Sequence, residues 1–162
     1  MRDNILSVKD SISLAKKLNL EGKTIVLVGG VFDILHIGHL RFLINAKRQG
    51  DILFVLLEND KKVRKLKGKK RPVNSQKDRA ELLSNLKPVD YIVLLPRMKF
   101  DKSYDKLIDQ LKPKVLAITK GDPGKKHKIR QGKMVNAIVK EVIGRLKSKS
   151  TTNLTNMLKG NE

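Results

Sequence analysis

The segment Thr24 to Gly30, TIVLVGG, limits what this chain can fold into more than any other. A strand with one solvated face alternates apolar and polar residues, whereas this run is unbroken and apolar from Ile25 to Val28, rich in β-branched residues, and closes on two glycines. It therefore describes a strand buried on both faces, as in a parallel sheet, that ends in a tight turn. Leu40, Leu43 and Ile44 then mark the buried stripe of a helix that stops at Gly50, and Ile52 to Leu57 is a second apolar strand. The result is a strand-helix-strand unit.

The alternation repeats along the chain. Ser75 and Asp78 have the spacing of a capping box that opens a helix through Leu86, and Val89 to Leu95 supplies a third strand. Leu107, Ile108 and Leu111 form a helical stripe before Pro113, and Val115 to Ile118 a fourth strand ending at Gly121-Asp122. The stretch Lys125 to Val142 fits either helix throughout or helix then strand; a helix followed by a short fifth strand near Ile138 to Val142 is favoured. Upstream, Val8, Ile12, Ala15 and Leu18 are near helical spacing and predict an amphipathic leading helix. Downstream, Ser150 is an N-cap candidate for a closing helix carrying Leu154 and Leu158. With no internal repeat and no Gly/Ser linker, the expectation is one α/β domain over 1–162. Residues 1–22 hold the leading helix and 23–162 a core with a mainly parallel five-stranded sheet covered on both faces. Ligands of such sheets bind beyond the carboxyl ends of the strands, where strand order reverses.

Composition narrows the classes. The chain has no cysteine, which removes disulfides, zinc-thiolate sites and thiol nucleophiles. No apolar run approaches the roughly 20 residues of a membrane-spanning helix. The amino terminus lacks the pattern of a secretory signal, so a cytoplasmic location is expected. The formal charge of +20 attracts phosphates of every kind, from nucleotides to RNA. Aromatic residues make up only 4%, with no Trp, which leaves few stacking platforms for bases and makes RNA binding the lesser expectation.

The loop after the first strand concentrates devices for holding phosphate. It reads Gly29-Gly30-Val31-Phe32-Asp33-Ile34-Leu35-His36-Ile37-Gly38-His39, and a helix follows. Glycines let a ligand approach the backbone, a helix start presents free N–H groups and the positive end of its dipole, and His36 and His39 lie about one helical turn apart. A histidine at a helix start also serves as a plain cap, and a glycine pair after a strand as a plain turn. Together, directly after a buried strand, they point to a phosphorylated ligand.

The tetrapeptide His36-Ile37-Gly38-His39, within GGVFDILHIGHLRFLINAKRQGD, resembles the HxGH signature of the cytidylyltransferase-like nucleotidyltransferases. VRKLKGKKRPVNSQKDRAELLSNLKPVDYIV resembles the heptose 1-phosphate adenylyltransferase branch. Arg145 five residues before Ser150, with Thr151 and Thr152 following, resembles the family's second signature. The resemblance implies a Rossmann-like three-layer sandwich. It also implies an enzyme that moves a nucleoside monophosphate from a triphosphate onto a phosphorylated small metabolite, releasing pyrophosphate. ATP and a sugar phosphate lead. CTP with glycerol 3-phosphate or an amino-alcohol phosphate, or ATP with FMN, are alternatives, and relatives suggest a homodimer.

By the same resemblance His36, His39, Lys67 and Arg145 are the catalytic candidates. Gly29, Gly30, Val31, Phe32, Asp33, Gly38, Asp122, Ser150, Thr151 and Thr152 would bind the nucleotide, and Mg²⁺ would arrive on its phosphates. Asp33 orders the turn or assists that ion. Arg79 is a candidate phosphate contact or an exposed helical arginine, and the run Lys61 to Arg71 is a solvated basic loop apart from Lys67. The loop Thr119 to Lys125 departs from the heptose branch, lacking its second glycine before Asp122 and its aromatic after it. Donor and acceptor choice stay open there.

Overall fold

The computed structural model describes residues 3–98 and 100–144. In order, the elements are β1 (Ile5–Leu6), α1 (Val8–Leu20), β2 (Ile25–Gly30), α2 (Ile37–Lys47), β3 (Ile52–Leu57) and α3 (Asp60–Lys67). They continue with α4 (Gln76–Ser84), β4 (Tyr91–Leu94), α5 (Asp101–Leu111), β5 (Val115–Thr119), α6 (Lys125–Met134) and β6 (Ile138–Ile143). The strands form one sheet in the order β1-β4-β3-β2-β5-β6, with every pairing parallel.

The apolar runs work as expected for strands covered on both faces. Along β2, Val26 and Val28 enter one core with Phe42, Leu43 and Ala46 of α2 and Ala80 and Leu83 of α4. Ile25 and Leu27 enter the other, with Ala15 and Leu18 of α1 and Leu107, Ile108 and Leu111 of α5. The two-residue period of a strand thus feeds two helical layers from one segment. Each fully buried Leu or Ile contributes about 1.5–3 kcal/mol relative to exposure. The Ser75–Asp78 capping box forms in both directions and opens α4.

Three features differ from the sequence reading. The sheet has six strands, because Ile5 and Leu6 pair with Ile92 and Val93 ahead of α1. Two residues carry no readable periodicity. The basic run after β3 is helical through Lys67: the Asn59 side chain caps it by accepting from the Lys62 N–H at 3.0 Å, and Val63 alone is buried. The Ser7 side chain caps α1 and so stands before the helix.

This topology prepares a site. The chain runs β2, β3, β4 toward one edge and then crosses to β5 on the other side of β2. Strand β2 pairs with β3 through Gly30–Leu57, but with β5 only at Val26–Val115 and Leu27–Leu116. Beyond Leu27, strands β2 and β5 part, and a crevice opens at their carboxyl ends where strand order reverses.

Candidate active site

Gly29 and Gly30 end β2 at this crevice, and the Phe32 ring stands where a side chain at Gly30 would go. A Cβ on it would stand 2.6 Å from the Phe32 ring. Phe32 is buried and adopts φ 46, a left-handed conformation that an aromatic residue takes at a cost of about 1–3 kcal/mol. Its ring packs against His39, centroids 5.3 Å apart. The strained turn thereby fixes the second histidine.

Asp33, 2% exposed, orders that turn. Its carboxylate accepts from the N–H of Val73 at 2.8 Å and of Asn74 at 3.0 Å and from Arg71 Nε, while Asn74 Nδ2 donates to the Asp33 carbonyl at 2.9 Å. Burial by itself would raise the pKa of this carboxyl, but the Asn74 and Val73 amides and the Arg71 guanidinium outweigh it and hold the value below the usual range. Of its two expected roles, the structure supports ordering of the turn. With both oxygens engaged, Asp33 is poorly suited to ligate a metal.

Arg79 is not placed as a phosphate contact. It is completely buried, and Nε donates to the Asn74 carbonyl, Nη1 to that of Val31, and Nη2 to that of Glu58 and to Asp60 Oδ1 at 2.7 Å. Its fork ties the loop after β2, the end of β3 and the segment before α4 into one floor. Gln76 adds a clamp, its Nε2 donating to the carbonyls of Leu57 at 2.9 Å and Leu95 at 3.0 Å.

On this floor stand the histidines. His36 is the N-cap of α2, its Nδ1 accepting from the Gly38 N–H at 3.1 Å, so in the neutral ring the proton lies on Nε2. Three residues on, the His39 ring stacks on that of His36 with centroids 3.9 Å apart at 26°. Burial lowers the pKa of His36. Burial, then the charges of His36 and Lys67, push His39 down to about 4, partly opposed by hydrogen bonding with the Ile34 backbone. Both rings are therefore neutral near pH 7, and His36 presents its Nε2–H as a donor for an anion. Lys67, at the end of α3, is near enough for its charge to bear on His39.

Across the crevice, Asp122 follows β5 and folds its loop by accepting from the Gly124 N–H at 2.6 Å. Glu58, at the end of β3, accepts from the Tyr104 hydroxyl at 2.9 and 3.0 Å. Burial raises the pKa of Glu58 despite Tyr104 and the nearby Lys62, Lys128 and Arg79. The sequence reading missed Glu58, Arg71, Asn74, Gln76, Tyr104 and Lys128. Glu58 alone carried a signal, as the first charged residue after an apolar strand. Arg145, Ser150, Thr151 and Thr152 lie outside the described residues. Among the described residues no cluster of three His, Asp or Glu side chains could hold a metal ion, and no helix is long and apolar enough to cross a membrane.

A parallel sheet with a glycine-ended central strand, a switch-point crevice and paired histidines at the following helix start defines a nucleotide-binding α/β class. The cytidylyltransferase-like family matches residues 27–153, and the chain belongs to that family, a family of nucleotidyltransferases. It is 41% identical over 156 residues to the bifunctional protein HldE of Campylobacter fetus and 40% identical over 160 residues to that of Aliarcobacter butzleri. These alignments cover 92% and 98% of this chain but 31% and 32% of the relatives. The chain thus spans about a third of their length. Among solved structures, a lipopolysaccharide core biosynthesis protein from Thermoplasma volcanium superposes with TM-score 0.60 at 29% identity, covering 80% of this chain and all of that one. Pantoate-beta-alanine ligase from Francisella tularensis shares the fold, with TM-score 0.62 at 17% identity over 96% of this chain and 76% of its own.

Proposed function

We propose that this chain transfers a nucleoside monophosphate, AMP in preference to CMP, from a nucleoside triphosphate to a phosphorylated sugar of the heptose 1-phosphate class, with release of pyrophosphate. The observation that carries this reading is the stacked, neutral His36–His39 pair beside the Gly29-Gly30 strand end. Identity near 40% with the HldE proteins supports the adenylyl branch, and likeness to a lipopolysaccharide core biosynthesis protein supports a sugar acceptor.

In this reading an oxygen of the acceptor phosphate attacks the α-phosphorus in line. The new O–P bond forms as the bond to the bridging oxygen breaks, and pyrophosphate carries away the electron pair. Such a reaction is accelerated by positioning and charge neutralisation. His36 and His39 donate hydrogen bonds to phosphoryl oxygens as charge develops, and Lys67 adds a cation at the same side. Backbone at Gly29, Gly30, Val31 and Phe32 lines the nucleotide, with Gly38 at the helix start and Asp122 toward the base or ribose. Asp33 acts through the shape of the loop. Arg145, Ser150, Thr151 and Thr152 would close over the β- and γ-phosphates. The phosphates of the nucleotide would carry Mg²⁺, which would neutralise their charge, while Asp33 stays engaged with Arg71, Val73 and Asn74.

The test is pyrophosphate release with ATP and with CTP, each against heptose 1-phosphate, glycerol 3-phosphate, phosphoethanolamine and FMN. ATP with heptose 1-phosphate should be active, and His36→Ala and His39→Ala should each abolish turnover. Undiminished turnover in both variants would refute the reading. Preference for CTP would move the chain to the cytidylyl branch, which the altered loop around Asp122 leaves open.

A further inference from the structure

Among the basic residues of α6, Lys128 stands apart. A Cβ on Gly29 would lie 3.9 Å from its Nζ, so the ammonium rests at the carboxyl end of β2. Gly29 continues the Ile25–Leu27 face of that strand, which puts Lys128 on the wall opposite Phe32 and His39. Burial lowers its pKa, opposed by the charges of Asp122, Glu58 and Asp105.

Each of those carboxylates is already engaged elsewhere. Glu58 takes the Tyr104 hydroxyl, and Asp122 takes the Gly124 amide. Asp105 receives Arg130 at 2.6 and 2.9 Å and Gln131 at 2.9 Å. The Lys128 ammonium makes no hydrogen bond or ion pair with any described residue. A half-buried ammonium with no direct partner, at the open end of a strand, keeps its donors free for an anion that enters the crevice. The strand beside it ends in a residue without a side chain, which leaves the space such a ligand needs.

We propose that Lys128 is a second anion anchor of this crevice, its Nζ binding a phosphoryl oxygen of a substrate laid across Gly29, opposite the histidines. The inference rests on the reading of the crevice as a site for phosphorylated substrates. The phosphoryl group belongs either to the nucleotide's polyphosphate or to the acceptor's phosphate, and binding measurements separate the two.

Calorimetric titration of the full chain with α,β-methylene-ATP plus Mg²⁺, and separately with heptose 1-phosphate, would be compared for wild type, Lys128→Met, Lys128→Arg and Gly29→Ala. Lys128→Met should weaken one ligand by about tenfold or more, with Lys128→Arg recovering part of the loss. The ligand that responds identifies the source of the phosphate. Gly29→Ala makes only ordinary van der Waals contacts, at 3.9 Å to Lys128 Nζ and 4.0 Å to the Leu56 carbonyl, so it should fold normally and weaken the same ligand. Unchanged affinity for both ligands in folded Lys128→Met would overturn the proposal. If that variant fails to fold, unchanged affinity in Gly29→Ala overturns it equally. Because the readout is binding, absence of turnover with every substrate pair would refute the proposed reaction and leave this inference separately decided.

Discussion

His39 makes the stability of this protein depend on pH in a calculable way. Burial and the neighbouring His36 and Lys67 charges hold its pKa at about 4 against an ordinary 6.5. As pH falls through 6.5 the unfolded chain takes up a proton that the folded chain refuses, so stability declines. The decline ends near pH 4, where the folded state also protonates. At 1.36 kcal/mol per pH unit the complete effect is about 3 kcal/mol, of which about 2 kcal/mol falls between pH 7.5 and 5. His39→Gln keeps a polar side chain and removes the titration. Urea unfolding of wild type and variant at pH 7.5, 6, 5 and 4 gives two stability profiles, and their difference cancels the carboxylates common to both. The wild-type profile should fall about 2 kcal/mol further than the variant's from pH 7.5 to 5. Parallel profiles, or a His39 ring proton that titrates near 6.5 by NMR, would refute the argument. A bound triphosphate brings negative charge to the same ring and raises its pKa. Nucleotide binding at pH 5 to 6 should therefore take up protons, seen as a dependence of binding heat on buffer ionisation enthalpy.

Other perturbations probe the floor of the site. Arg79→Met should destabilise by about 3–5 kcal/mol in urea unfolding, because it strands the carbonyls of Val31, Glu58 and Asn74 and the Asp60 carboxylate; a stable variant with only a raised KM would restore the phosphate-contact reading. Gly30→Ala should cost about 1–3 kcal/mol through its overlap with the Phe32 ring, and in a Phe32→Ala background that increment should largely vanish. Asp33→Asn should flatten the acid limb of the stability profile, since a carboxyl held below its ordinary pKa stabilises at neutral pH and loses that contribution as pH falls through its folded value. An unaltered acid limb in that variant would mean that the Asp33 contacts add nothing to stability.

What the sequence made legible follows from how locally each feature is encoded. Strands β2 and β3 announce themselves because burial on both faces demands unbroken apolar runs, and the capping box at Ser75 is complete within four residues. Helix α3 is the opposite case: only Val63 is buried, so no stripe distinguishes it from a basic loop, and the Asn59 cap becomes meaningful once the helix is seen. The histidine pair was legible because its members are three residues apart on one helix start. Arg79 was not, because the acceptors that bury it are brought together from Val31, Glu58 and Asn74 by the sheet. Lys128 looks in sequence like any lysine of KKHKIRQGK, and only the approach of α6 to Gly29 sets it apart.

The net charge of +20 and the character of the site act at different ranges. Near the crevice, Arg71 and Arg79 are bound to Asp33 and Asp60, and both histidines are held neutral. Exposed lysines of α3 and α6, such as Lys61, Lys65, Lys126 and Lys133, set a long-range field that draws any polyanion toward the protein, and salt screens such a field over about 8–10 Å. On the proposed reading, discrimination among the anions that arrive falls to hydrogen-bond donors, with His36 and His39 on one wall and Lys128 on the other. These act only at contact. On that reading a basic chain can still select one kind of phosphate: exposed charges attract without geometry, and selection falls to groups at the crevice, the histidines among them held by the strained turn at Phe32.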